Sequence, residues 1–155
     1  MVALSTTIRK DTGKLKKLRR VLDRLFTPML ERTAKDGQRI AQDSIRNSPG
    51  DSGRFYRSPR TGRIQEASFP GNAPRQDSGG VIQGIKWRKV KSDEYVIEST
   101  SDASAALEFG EGNNLGGQPL AARPYMMPMV VKLRKKYPKL AKETINEPLI
   151  RKLIR

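Results

Sequence analysis

The chain contains no cysteine and no histidine. That removes disulfides, thiolate and imidazole metal ligands, and any nucleophile system that relies on Cys or on a Ser–His pair. Aromatic residues make up only 6% of the sequence, with a single tryptophan, and 35% of residues are hydrophobic against 30% charged. The core this composition can build is therefore small for the surface around it. Long apolar runs are absent too. The opening stretch from Met1 to Lys10 has no hydrophobic segment of secretory length, and nothing later approaches a membrane span. The expectation is a protein made and kept in the cytoplasm, with no membrane partner.

Basic residues are missing from one long stretch. Between Lys91 and Arg123 there is no Lys or Arg, while Asp93, Glu94, Glu98, Asp102, Glu108 and Glu111 all fall there. The rest of the chain carries the excess that gives a formal charge of +15, from 31 basic and 16 acidic side chains. An overall charge of that size favours an anionic partner, whereas the uneven distribution makes an acidic middle between basic ends. At 155 residues the length fits one domain, 1–155.

The strongest local signal lies between Lys14 and Arg46. Leu15, Leu18, Leu22, Leu25, Phe26, Met29, Ile40, Ala41 and Ile45 recur at three- and four-residue steps, the period of an amphipathic helix. Pro28 within this run predicts a break or bend near Thr27. Residues 47–80 are dense in Pro, Gly and Ser, and the reading is a long irregular loop outside the core. Strands are expected at Val81–Val90 and Glu94–Ser99, joined by a hairpin turn at Lys91-Ser92-Asp93. Ala103–Phe109 fits a short helix or a strand equally. Gly112–Gly117 is a loop, and Arg123-Pro124-Tyr125 opens a C-terminal helix that Pro138 interrupts, leaving a peripheral tail at 138–155. The fold class is α+β: a long N-terminal helix, a small antiparallel sheet with a central hairpin, and a C-terminal helix.

Three short patterns occur in order. They are Gly53-Arg54-Phe55-Tyr56-Arg57, then the run from Ala67 through Phe69-Pro70-Gly71 and Pro74 to Asp77-Ser78-Gly79-Gly80, and then Ala106-Leu107-Glu108-Phe109-Gly110 followed by Ala122-Arg123-Pro124-Tyr125-Met126. This ordered set resembles the phage tail-component family, which includes tail-completion, head–tail joining and neck proteins of tailed bacteriophages. The sequence departs from the family pattern at Gly80, where Arg or Leu is usual, and at Tyr125, which stands in place of Phe. The resemblance implies a structural virion protein of the neck or tail, assembled in the host bacterial cytoplasm, that is not an enzyme and needs no cofactor. It also implies a ring of identical copies, a hexamer by analogy. Its neighbours would be the head connector, adaptor or stopper protein and the tail tube protein, with genomic DNA at most passing through the lumen.

Candidate contact residues follow from residue type and place. Phe55, Tyr56 and Phe69 are rings in a loop too rich in breakers to hold itself, which marks them as anchors for a neighbour. Trp87 and the Met126, Met127 and Met129 group are apolar anchors of the kind that dominate interfaces. Phe109 is expected to be a buried ring ending a core strand, with Gly110 free to take positive φ. Glu108 and Arg123 are read as a charged pair, closing either a ring contact or an internal one. A ring needs two different complementary surfaces, and the acids Glu98, Asp102 and Glu108 facing Arg19, Arg20 and Arg24 of the next copy would supply them. The competing reading is a basic nucleic-acid-binding protein, with the Lys- and Arg-rich helix on phosphates and Trp87 stacking on a base.

Overall fold

A computed structural model describes residues 3–58, 60–113 and 119–144; in the first helix, side chains are described at residue 13 and from Leu15 onward. In chain order the elements are α1 (Ala3–Arg46), β1 (Phe55–Arg57), β2 (Ile64–Glu66), α2 (Gly80–Gly84), β3 (Ile85–Lys91), β4 (Glu94–Ser99), α3 (Ser104–Phe109) and α4 (Met126–Thr144). The α+β class holds, as a long N-terminal helix, two two-stranded antiparallel sheets and a C-terminal helix.

Helix α1 spans 44 residues without a break, about 66 Å at 1.5 Å per residue. Of the break or bend expected near Thr27, the break is absent. Pro28 sits on the solvent side, where water can satisfy the carbonyl that loses its partner. One residue earlier, the Thr27 hydroxyl donates to the Asp23 carbonyl at 2.6 Å and also lies 3.1 Å from the Ser92 carbonyl in the β3–β4 turn. The same contact fixes the hairpin tip against the helix. At the other end of the hairpin, the Gln38 side-chain amide donates to the Ile85 carbonyl (2.9 Å) and that of Gln42 to the Ile82 carbonyl (3.1 Å).

The core is formed where α1, the β3–β4 hairpin and α4 meet, with Ala41, Ile45, Ile82, Ile85, Tyr125 and Met129 buried. Gly37 marks the closest approach. A Cβ there would come within 2.9 Å of Leu133 Cδ1 and collide with Ile97 Cδ1, so both α4 and β4 press on the helix at this point. The phenol of Tyr125, fully buried, donates to Ser99 Oγ at 3.0 Å. That bond satisfies the hydroxyl of the buried ring.

Three further expectations change. Residues 47–80 are not structureless: β1 and β2 pair there, Phe55 opposite Glu66 and Arg57 opposite Ile64. Ser58, Ser68 and Pro74 in that stretch are buried, and Ala73 packs on the core. Gly80–Gly84 is a helical turn, not the start of a strand, because Ile82 and Ile85 sit three residues apart and both point inward, while Gly79 enters it with φ 81°. Ala103–Phe109 resolves as helix over Ser104–Phe109, closed by Gly110 at φ 73°. Pro138 lies within α4, which runs on to Thr144; the remainder of the tail placed at 138–155 falls outside the described residues, as does most of the Gly112–Gly117 loop.

Candidate functional site

Glu108 ends up in a position its sequence neighbours do not announce. Its carboxylate, on the last turn of α3, accepts the backbone N–H of Tyr125 (2.9 Å) and Met126 (3.0 Å) through Oε2 and that of Met127 (2.8 Å) through Oε1. A helix start leaves these N–H groups without intrahelical partners and carries partial positive charge, so a carboxylate there both satisfies and neutralises it. Arg123 does not pair with it. The Arg123 guanidinium instead donates to the Ser68 and Ala121 carbonyls, each at 3.2 Å. The charged pair expected of Glu108 and Arg123 is thus replaced by two separate links, one holding α3 to α4 and one holding the 67–72 segment to the α4 entrance. Arg123 N–H also donates to the Leu107 carbonyl at 2.6 Å and Gly71 N–H to the Ala122 carbonyl at 2.8 Å, so three stretches of chain converge at Leu120–Arg123. Within this corner Ser68 Oγ is buried with no hydrogen-bond partner among the described residues.

The other expected site residues divide by burial. Met129 lies in the core and Met126 packs against it, which takes Met129 off the surface; Met127 points out, 58% exposed. Phe109 is the second correction at this corner: it ends a helix and is 65% exposed, not a buried ring on a strand. Phe69 and Phe55 are exposed, and Tyr56 is at the margin. Burial, then the Asp77 carboxylate, push the Tyr56 hydroxyl above its ordinary range despite Arg75 and Arg123 nearby. Trp87 is half-buried on β3, its ring 6.0 Å from that of Tyr95 and with Lys35 Nζ 5.4 Å from its centroid. Side chains of its own chain therefore lie against part of the ring.

Of the acids expected to form one complementary face, only Asp102 is left for that purpose. Glu98 is bound to Arg88 across the hairpin at 3.0 Å, and Glu108 is the helix cap. Glu111, also exposed, joins Asp102 as an acid with no ion pair among the described residues. The basic side is intact. From Leu15 to Arg20 every side chain of α1 is exposed, including Lys16, Lys17, Arg19 and Arg20, and so is Arg24.

Sequence reasoning missed the apolar half of this surface. Leu15, Leu18 and Leu22, part of the periodic apolar set of the leading helix, are 61%, 44% and 39% exposed, on the part of α1 that continues past the hairpin tip at Thr27. A second apolar feature is a cleft of about 480 Å³ between β4 and α4, lined by Tyr95, Ile97, Met126, Val130, Leu133 and Tyr137 among others. Among the described residues no three carboxylates gather as a metal site would require, and no helix is long and apolar enough to cross a membrane. Set against known protein families, curated proteins and solved structures, the chain matches none.

Proposed function

We propose that this chain is a structural subunit of the neck of a tailed bacteriophage, a tail-completion or head–tail joining protein that forms a ring of identical copies. The observation that carries the reading is the amount of large apolar side chain left on the surface: leucines along α1 on one side, Phe109, Met127 and Phe69 around the α4 entrance on the other. Large apolar side chains gathered into a contiguous exposed patch mark a surface that a neighbour covers. The ordered motifs from Gly53 to Met126 supply the kind of assembly. By their resemblance the ring is a hexamer lying between head connector, adaptor or stopper and tail tube, with DNA passing through its lumen, and the subunit catalyses nothing.

The alternative is a nucleic-acid-binding protein, favoured by one observation, the exposed Lys16, Lys17, Arg19, Arg20 and Arg24 on a single helix. The leucines beside them argue for a protein surface, since phosphate recognition has no use for an apolar stripe. A nonsense mutation in the gene, made in the phage or prophage that carries it, tests the proposal. Filled heads and separate unjoined tails, rescued by supplying the protein in trans, are expected. Intact infectious particles lacking the protein would refute it.

A further inference from the structure

Two apolar faces have no partner among the described residues, and their surroundings are of opposite charge. On α1, Leu15, Leu18 and Leu22 follow steps of three and four residues and so form one stripe. Lys16, Lys17, Arg19, Arg20 and Arg24 are exposed around it. At the other face, Phe109 closes α3 and Met127 opens α4, brought together by the Glu108 carboxylate that accepts the Met127 N–H. The exposed acids here are Asp102, just before α3, and Glu111, two residues after Phe109. The acidic character ends one turn into α4, where exposed Val131 is followed by exposed Lys132, Arg134 and Lys135.

We infer that these faces bind each other between copies, the leucine stripe of one α1 lying on the Phe109–Met127 corner of the next subunit. The inference rests on the ring reading above and adds which surfaces meet. Like-with-like pairing is disfavoured electrostatically: two stripes would bring five bases against five, and two corners would bring acid against acid. The unlike pairing places Arg19 and its neighbours beside Asp102 and Glu111 and covers both apolar faces. Because the two surfaces differ, the contact is head-to-tail, the geometry that generates a ring when its rotation closes. Charge sets register and encounter, whereas burial of the leucines, Phe109 and Met127 holds the contact.

The absence of native cysteine makes the test direct. Leu18→Cys and Met127→Cys, each on an exposed side chain, are prepared singly and together in the full chain, checked for native circular dichroism, and treated with a short bismaleimide at low salt. Each single variant alone should give no covalent dimer. An equimolar mixture of the two should give a dimer and nothing larger, and the double variant a ladder of covalent oligomers. Dimerisation of Leu18→Cys by itself would mean that the stripe pairs with its own copy and would overturn the inference. So would linkage confined within one chain, or capture of Leu18→Cys by a cysteine placed in residues 145–155. Native mass spectrometry on the same samples separates the two levels: rings without cross-linking in the mixture overturn the inference and leave the ring reading standing, whereas monomers throughout overturn both.

Discussion

Glu108 Oε1 lies 2.8 Å from the backbone nitrogen of Met127, 19 residues away in sequence. Together with the bonds to Tyr125 and Met126, this makes the side chain of one helix the cap of another and ties the acidic segment to the C-terminal helix. Glu108→Ala should cost about 1–3 kcal/mol, because it leaves several N–H groups without a charged acceptor. Glu108→Gln keeps an acceptor oxygen but not the charge and should cost less. Urea unfolding followed by circular dichroism measures both, and equal stability of the three proteins would remove the capping role.

Gly110 holds φ at 73°, and a Cβ there would sit 2.7 Å from the Ala122 nitrogen and 2.8 Å from the Leu120 carbonyl oxygen. Both obstacles are backbone and cannot swing away. Gly110→Ala should therefore destabilise by more than the ~1 kcal/mol that left-handed backbone alone exacts from an L-residue. At Gly13, where nothing lies within 4 Å and the residue is inside α1, the same substitution should stabilise slightly, by up to about 1 kcal/mol. Thermal melts of the two variants should move in opposite directions.

The Asp36 carboxylate is held below its ordinary pKa of 3.8, first by the hydrogen bond from Lys136 (2.6 Å) and then, against the cost of burial, by the charges of Lys136, Arg39 and Arg32. Its folded-state value lies below its unfolded one. The stabilisation is therefore complete above the unfolded value and is lost as pH falls through the folded one. Because Lys136 is 41% exposed, the effect near neutral pH should be no more than about 1 kcal/mol. Asp36→Asn should accordingly be less stable than the parent near neutral pH, and the gap should close as pH falls through the lowered folded-state pKa of Asp36. A gap that persisted in acid would assign the loss to packing.

The periodic elements were legible in the sequence and the junctions were not. The β4 bounds, Glu94–Ser99, coincide with the expected strand, since Tyr95, Val96 and Ile97 combine strand propensity with turn residues before them. The leading helix was equally plain, but its pattern could not distinguish leucines that meet the sheet from leucines that run past it. That depends on where the hairpin tip stops, at Ser92 against Thr27, a length match between two elements. Pro28 does not break the helix because the local rule assumes a free helix, whereas this one is held on its inner face by α4 and the hairpin. In residues 47–80 the breakers concealed the β1–β2 pairing, which involves only three residues on each side. Phe109 misled for a different reason: Phe-Gly closes a strand or a helix with equal ease, and the Arg123 N–H on the Leu107 carbonyl belongs to a contact sixteen residues away that no local pattern encodes.

Closure of identical copies into a ring through unlike surfaces is tested most directly by native mass spectrometry of the purified protein across a range of concentrations and salt. One closed species of fixed copy number, six by family resemblance, is expected, its formation slowed but not abolished by moderate salt because apolar burial holds it. A protein that stays monomeric at every concentration, or that acquires a defined mass only when DNA of one preferred sequence is added, would contradict it.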